Sequence, residues 1–123
     1  MPIRNFLEME PAIAPCHGGA GMARVVSVFD QELDTPLQFI HYTVLPAGAS
    51  IGSHTHGNDE ELYIILEGRG DIEVDGEKRA VKKGDVILNR PFGTHALYNP
   101  SDREELKILV FEVKKADVEK APD

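Results

Sequence analysis

The chain has 123 residues, of which 41% are hydrophobic and 28% charged, and this suits one globular domain with its own core. Its 13 basic and 21 acidic residues give a formal net charge of −8, which repels phosphate backbones and argues against generic nucleic-acid binding. No apolar run approaches the ~20 residues needed to span a bilayer. We therefore expect neither a nucleic-acid nor a membrane partner.

The single cysteine sets the expected compartment. Cys16 has no second cysteine to pair with, so a reducing cytoplasm is the expectation. The first 15 residues also lack the basic stretch, apolar core and cleavage site of a secretory signal. Cys16 and His17 are adjacent, and adjacent loop residues seldom align as nucleophile and base, so we expect an inert thiol.

In chain order, the sequence predicts an irregular N-terminal arm over residues 1–22, a single barrel over 23–113 and a short tail over 114–123. The tail alone has helix-forming composition. Within the barrel, apolar runs rich in Val, Ile, Phe and Tyr recur about every ten residues and are closed by Gly, Pro, Asn and Asp, which predicts an all-β fold. The runs are ARVVSVF, LQFIHYTVL, ELYIILEG, GDIEVDG, KRAVKKG, DVILN, HALYN and ELKILVFEV.

The clearest local element is the segment IEVDGEKRAV. Asp75 and Gly76 stand between two alternating segments. This dipeptide is typical of a two-residue turn in which both residues adopt positive φ. We therefore predict a β-hairpin centred on these two residues.

The stretch HTHGNDEE is either part of a metal site or a polar surface turn, since surface His-x-His pairs beside acidic turns are common. On a strand, His54 and His56 point to the same face, about 6.5–7 Å apart, so both imidazoles can reach one ion. On a helix the same spacing would rotate them to opposite sides. The preceding LPAGASIGS excludes a helix, and the turn after His56 returns Glu61 to the same region. His95 begins another predicted strand and supplies a fourth donor.

These donors fall into two spaced motifs that resemble those of the cupin superfamily. The first is Gly48-x5-His54-x-His56-x4-Glu61-x6-Gly68, which matches the first cupin motif at every anchor. The chain is therefore identified as similar to the small single-domain cupins. The resemblance implies an antiparallel jelly-roll β-barrel.

The second motif runs from Gly84 to His95 and ends with His95-x3-Asn99. It departs from the cupin pattern, because Arg90-Pro91-Phe92 stands where cupins usually carry Pro-x-Gly. Proline and glycine still occur one residue later, so we expect the turn to survive with a changed shape. We expect this departure to change the rim of the pocket more than the position of His95.

The resemblance implies one divalent transition metal bound by three histidines and a glutamate. Carried over to this sequence, the ligands are His54, His56, Glu61 and His95. Glu60 is the alternative carboxylate, but Glu61 keeps the spacing to Gly68. Such donors suit Mn, Fe, Co, Ni or Zn, and four side chains leave positions open on an octahedral ion. A degenerate barrel without metal is the competing interpretation.

Four further residues are candidates for contact with a ligand in the pocket, and the sequence also allows a purely structural role for them. Tyr63 shares the strand face of Glu61 and either contacts a ligand or packs in the core. Asn99 shares the face of His95 or ends the strand, and His41 lies on a face that the sequence does not identify. Arg90 pairs with a substrate carboxylate or stays solvated. The acids Asp59 and Glu60 we interpret as solvent-facing turn residues.

Three functions remain open from the sequence. The first is a metalloenzyme acting on a small polar substrate, such as a sugar or keto acid, by isomerase, decarboxylase or dioxygenase chemistry. The others are a small-molecule binding module and a metal-free structural barrel, since one fold hosts many activities. The alternate apolar face of Leu62, Ile64 and Leu66, with the N-terminal arm, predicts a homodimer.

Overall fold

The computed structural model describes residues 1–115. Ten strands, paired antiparallel, make up their regular structure, and none of these residues forms a helix, which confirms the all-β jelly-roll prediction. Equally, no membrane-spanning helix occurs in this part of the chain. The strands are β1 (Ala12–Ala14), β2 (Ala23–Phe29), β3 (Leu37–Leu45), β4 (Ser50–Thr55), β5 (Asp59–Glu67), β6 (Arg69–Val74), β7 (Glu77–Lys82), β8 (Val86–Asn89), β9 (Thr94–Tyr98) and β10 (Leu106–Lys114).

The strands form two sheets that face each other. One has six strands in the order β1-β2-β3-β10-β5-β8, and the other has four in the order β4-β9-β6-β7. Alternation along each strand decides what lies between the sheets. In β5, Glu61, Tyr63 and Ile65 are buried between them, whereas Leu62 and Ile64 face outward and are half-buried. The polar residues among the inward set therefore lie inside the barrel.

The core between the sheets is almost entirely aliphatic at one end. Leu45, Leu97, Leu106 and Ile108 have no exposed surface, and Ile65 is nearly as well buried. At the other end the inward positions carry histidines and carboxylates. This division separates a hydrophobic base, which stabilises the barrel, from a polar mouth.

The N-terminal arm contains more regular structure than expected. Its strand β1 pairs with β2, and its Phe6 packs against Tyr42 at a ring-centroid distance of 4.3 Å. Phe6 and Met9 cover an outer cluster that includes Val26, Val44 and other residues of the six-stranded sheet. Hydrophobic burial on this outer face explains why the arm is docked, although it is irregular outside β1.

The predicted hairpin is confirmed. Asp75 and Gly76 join β6 to β7 with φ angles of 49° and 84°. Both values lie in the left-handed region that the two-residue turn requires. At the other end of the chain, the predicted tail of residues 114–123 overlaps β10, which includes Lys114. Residues 116–123 of that tail lie outside the described residues.

The arm crosses β4 at its closest approach to the barrel. The Gly52 amide donates to the Cys16 carbonyl at 3.0 Å, and the Ser50 amide donates to the Ala20 carbonyl at 2.9 Å. A Cβ built on Gly52 would overlap the His17 carbonyl oxygen, so only glycine allows this crossing. The crossing fixes the start of the histidine segment.

Gly52→Ala is therefore expected to destabilise the protein. The added methyl group must push the arm away from β4, at a cost of about 1–3 kcal/mol in the free energy of unfolding. Urea denaturation measures this change. Gly57→Ala is the control, because a Cβ at that position meets only an Asp59 oxygen at 3.8 Å. Equal stabilities of the two variants would contradict the role of the crossing.

Candidate metal centre

Four side chains predicted from the sequence lie together at the polar mouth. The His₃Glu cluster consists of His54, His56, Glu61 and His95. The Nε2 atom of His56 lies 3.1 Å from that of His54 and 3.2 Å from that of His95. Glu61 Oε1 lies 3.1 Å from His95 Nε2 and 3.5 Å from His56 Nε2. Four donor atoms from three strands and a loop thus converge on one point.

A bulge in β4 turns His54 inward. The register between β4 and β9 shifts between Ile51 and His54, which then pairs directly with His95. An extra residue in one strand bends it and re-aims the side chains that follow. His56 comes two residues later and projects to the same face, as the strand spacing predicted.

Hydrogen bonds on the outer side of two rings fix their tautomers. His54 Nδ1 lies 2.8 Å from the Gly52 carbonyl, which only accepts, so this nitrogen carries the proton. His56 Nδ1 lies 2.6 Å from Asp59 Oδ2 and donates to that carboxylate. Both Nε2 atoms therefore present lone pairs to the centre. Two lone pairs 3.1 Å apart cannot bond to each other, but both can bind one cation.

The donor separations fit a transition metal. Imidazole nitrogens held about 2.0–2.1 Å from one ion at adjacent positions lie about 3 Å apart. The Nε2 separations of 3.1 and 3.2 Å match this requirement. Neutral imidazoles with one carboxylate are the donors that Mn, Fe, Co, Ni and Zn prefer over Ca and Mg. The residues present therefore fit the predicted ion.

Charge within the cluster also suits a cation. Burial opposes ionisation of Glu61, but hydrogen bonds from His95 and Tyr63 outweigh burial and hold its pKa below the usual range. Burial lowers the pKa of His54, which keeps that ring neutral at neutral pH. The cluster consequently offers one negative charge at Glu61 and one neutral imidazole at His54 in a largely buried space.

Two carboxyl groups behind His56 were not predicted as part of the site. Asp59 accepts a hydrogen bond from His56 Nδ1, and Glu112 Oε1 lies 3.4 Å from the same nitrogen. Burial and the adjacent Asp59 raise the pKa of Glu112 to about 8, so this carboxyl keeps its proton at neutral pH. The expectation that Asp59 faces solvent was wrong, because its side chain is turned onto the His56 ring.

Tyr63 and His41 both lie on the inner face of the six-stranded sheet. Tyr63 is fully buried, and its ring meets that of His95 edge to face at a centroid distance of 5.4 Å. Burial and the Glu61 charge raise the pKa of Tyr63 well above its usual value, so its hydroxyl remains a donor. His41 stacks on Phe39 at 3.8 Å, and burial lowers its pKa. Ligand contact by either residue stays a prediction.

The hydrogen bonds of Asn99 favour the strand-end interpretation, and ligand contact by this residue stays a prediction. Its Nδ2 group donates to the Leu45 carbonyl at 2.9 Å and to the Glu104 carbonyl at 2.8 Å, while its Oδ1 accepts from the Ser101 amide at 3.0 Å. Both ends of the amide are thus used to hold the loop after β9. Its position next to the strand end, not its face, decides what it contacts.

His17 also contacts the His₃Glu cluster, although the sequence did not predict it as part of the site. Its ring stacks on His54 at a centroid distance of 3.7 Å and an interplanar angle of 10°. The adjacent Cys16 is half-buried, and burial with the nearby Glu61 charge raises the pKa of its thiol, consistent with the inert thiol expected. The arm therefore forms one wall of the site.

The altered motif before His95 keeps its turn. Gly93 donates to the Arg90 carbonyl at 3.2 Å, with Pro91 and Phe92 in the middle. Phe92 has a φ of 63° at the position where a turn of this type normally carries glycine. The Phe92 amide also donates to Gly57, which joins the turn to the loop after His56. Arg90 itself is exposed at the rim.

Fold and cluster together define the class of protein, a small jelly-roll barrel with three histidines and one glutamate at its mouth. Residues 41–112 match the family described as Cupin domain. This match covers more than half of the chain. The chain belongs to the cupin family, and the resemblance carried by the two motifs is confirmed.

Three relatives are similar to this chain in sequence, and two of them carry a functional name. An uncharacterized protein from Methanocaldococcus jannaschii is 42% identical over 58% of this chain and 57% of its own length. An oxalate-binding protein from Thermotoga maritima is 28% identical over 89% of this chain and 93% of its own length. A 5-nitrosalicylic acid 1,2-dioxygenase from Bradyrhizobium is 30% identical over 64% of this chain but only 38% of its own length.

The solved structures give the same fold. A protein described as a predicted oxalate decarboxylase from Thermotoga maritima superposes with a TM-score of 0.87 and 26% identity, over 94% of this chain and all of that one. A cupin 2 conserved barrel protein from Salinispora arenicola gives a TM-score of 0.73 at 23% identity, over 93% of this chain and 89% of its own, which supports the fold alone.

Phe92→Gly is expected to stabilise the protein. Glycine relieves the strain of a bulky residue at positive φ, by about 1 kcal/mol in the free energy of unfolding, and little burial is lost because Phe92 is 69% exposed. Thermal and urea unfolding measure the gain. Phe92→Ala keeps the strain and is the control, with a change within about 0.5 kcal/mol. An equally large gain in the free energy of unfolding for Phe92→Ala would contradict the claim that Phe92 is strained in this turn.

Proposed function

We propose that this cupin binds one divalent transition metal ion and holds a small, oxygen-chelating acid on it. The observation that carries the proposal is the convergence of the His₃Glu cluster. The Nε2 atoms of His54 and His56 lie 3.1 Å apart with both Nδ1 protons directed outward. This arrangement leaves lone pairs facing each other, and a cation is the group that satisfies them.

The protein's own residues prepare the site. Asp59 and the Gly52 carbonyl fix two ring tautomers, and the Tyr63 hydroxyl stabilises the Glu61 carboxylate by a hydrogen bond. Once bound, the ion acts as a Lewis acid that polarises a carbonyl or lowers the pKa of a bound water. Four protein donors on a six-coordinate ion leave two positions for a bidentate ligand.

Charge and relatives both support an acid as the ligand. A divalent ion with the single Glu61 carboxylate leaves a net charge of +1, which attracts a carboxylate. The relative matched over 89% of this chain is named an oxalate-binding protein, and the protein with a TM-score of 0.87 is described as a predicted oxalate decarboxylase. Oxalate is one small acid that chelates a metal through two oxygens, so we take small bidentate acids in general as the ligand class.

A metalloenzyme is the second proposed function. The dioxygenase relative matches 64% of this chain at 30% identity and supports chemistry at a metal centre of this kind. Decarboxylation, isomerisation and dioxygenation each use an open position on the ion. Here His41, Tyr63 and Arg90 would contact the substrate from the inner face and rim.

His56→Ala tests the metal site. The substitution removes a central donor, so the variant is expected to bind well below one metal equivalent, whereas the wild type, purified without a histidine tag, binds about one. Metal analysis by mass spectrometry after titration measures both. His41→Ala removes a histidine outside the cluster and is expected to retain the metal. A full equivalent in His56→Ala, or none in the wild type, contradicts the proposal.

We also propose a cytoplasmic homodimer. Leu66 contributes to the cluster under the arm, but Leu62 and Ile64 remain half-buried on the outer face beside Val86 and Leu88 of β8, which are 61% and 40% exposed. An edge strand that carries apolar side chains is a favourable surface for a second copy. The single cysteine supports the reducing compartment.

Ile64→Glu is expected to convert the dimer to a monomer, because a buried, unpaired charge at an interface opposes association. Size-exclusion chromatography with light scattering measures the mass. Ala80→Glu places the same charge on the exposed face of the other sheet and is expected to leave the dimer intact. A wild type with the mass of one chain contradicts the proposal.

A further inference from the structure

Two asparagines in the barrel are equally buried but differ in their hydrogen bonding. Asn89 and Asn99 are each 1% exposed. The Asn99 amide is satisfied at both ends by backbone groups. Neither Nδ2 nor Oδ1 of Asn89 has a partner among residues 1–115. The two side chains are thus a matched pair, one with a complete set of partners and one without.

An amide without partners is not explained by folding. More than nine in ten buried polar groups in proteins are hydrogen-bonded, and leaving a donor or acceptor without a partner costs stability. A leucine would fill the same space without this cost. The Asn89 amide therefore indicates a partner other than the described residues 1–115.

Strand register places Asn89 at the metal centre. Asn89 ends β8 and pairs with Glu61 on β5, and Glu61 pairs in turn with Glu112 on β10. Directly paired residues project to the same face of a sheet, so the Asn89 amide points into the barrel beside the Glu61 carboxylate. The side chain thus lies on the same inner face as the Glu61 carboxylate, one strand away from it.

We propose that Asn89 is a specificity-determining residue that recognises a small 2-hydroxy acid at this centre. The proposal rests on the metal-dependent acid binding proposed above. An amide presents Nδ2 donors and an Oδ1 acceptor. A carboxylate oxygen accepts from Nδ2, and a neighbouring hydroxyl donates to Oδ1. The same hydroxyl and carboxylate also form a bidentate chelate on a metal ion.

An acid that carries only hydrogen-bond acceptors satisfies the Nδ2 donors of Asn89 but not its Oδ1 acceptor. A 2-oxo acid or oxalate can accept from Asn89 Nδ2 but leaves Oδ1 buried without a donor, which disfavours its binding. The competing explanation is a buried water that bridges Asn89 to its surroundings in the free protein. In that case the amide supports the fold and does not discriminate between acids.

The first experiment compares stability in protein free of metal and added acid. Asn89→Leu removes only unsatisfied groups, so its melting temperature is expected to equal or exceed that of the wild type. Asn99→Leu breaks the backbone contacts and is expected to melt several degrees lower. An Asn89→Leu variant that is destabilised as strongly as Asn99→Leu shows a structural amide and overturns the inference.

The second experiment uses isothermal titration of the metal-loaded protein with racemic lactate and with pyruvate, which differ at the 2-hydroxyl. The wild type is expected to bind lactate about tenfold more tightly or better. In the Asn89→Leu variant, the ratio of the affinities for lactate and pyruvate is expected to fall to about one, while the variant still binds the metal. A ratio that is the same in both proteins overturns the inference.

The possible failures are distinguishable. A wild type that holds metal and binds both acids equally overturns the role of Asn89 and leaves the metal site standing. A wild type that holds metal but binds neither acid overturns the inference and the acid-binding part of the proposed function. A wild type that takes up no metal overturns the metal centre as well.

Discussion

The outward hydrogen bonds of two imidazole rings are the constraint on which the site depends. His54 donates through Nδ1 to the Gly52 carbonyl and His56 donates through Nδ1 to Asp59, so both Nε2 lone pairs face inward. Without these partners the rings could adopt the other tautomer or turn away, and the same residues would not form a cluster. The chemistry of the mouth therefore depends on a backbone carbonyl and on one carboxylate.

The rest of the barrel supports this arrangement from a distance. The bulge in β4 brings His54 opposite His95, and the glycine at position 52 lets the N-terminal arm hold that bulge against the barrel. On the far side, the strained turn around Phe92 joins the segment before His95 to the loop after His56. Local strain and close backbone contact thus serve to position donors that lie far apart in sequence.

Period-two spacing was sufficient to predict the strands, the hairpin at Asp75 and the convergence of His54 with His56, because these depend on local geometry. The roles of Glu112 and Asn89 depend instead on contacts between strands, and a single sequence carries no register. The sequence favours a solvent-facing Asp59 because acids in turns usually face solvent, but Asp59 begins β5 three residues after His56 and its carboxylate accepts from the His56 ring. The glycine-rich segment after His17 likewise gives no sign of where it docks.

X-ray absorption spectroscopy at the edge of the bound metal tests the central claim most directly. The account predicts nitrogen and oxygen neighbours at about 2.0–2.2 Å, with the outer-shell scattering of about three imidazole rings bound through Nε2. That imidazole contribution should fall by about one ring in a cobalt-loaded His54→Ala protein. A first shell containing sulfur, which would place the ion at Cys16, or a spectrum without imidazole scattering would contradict it.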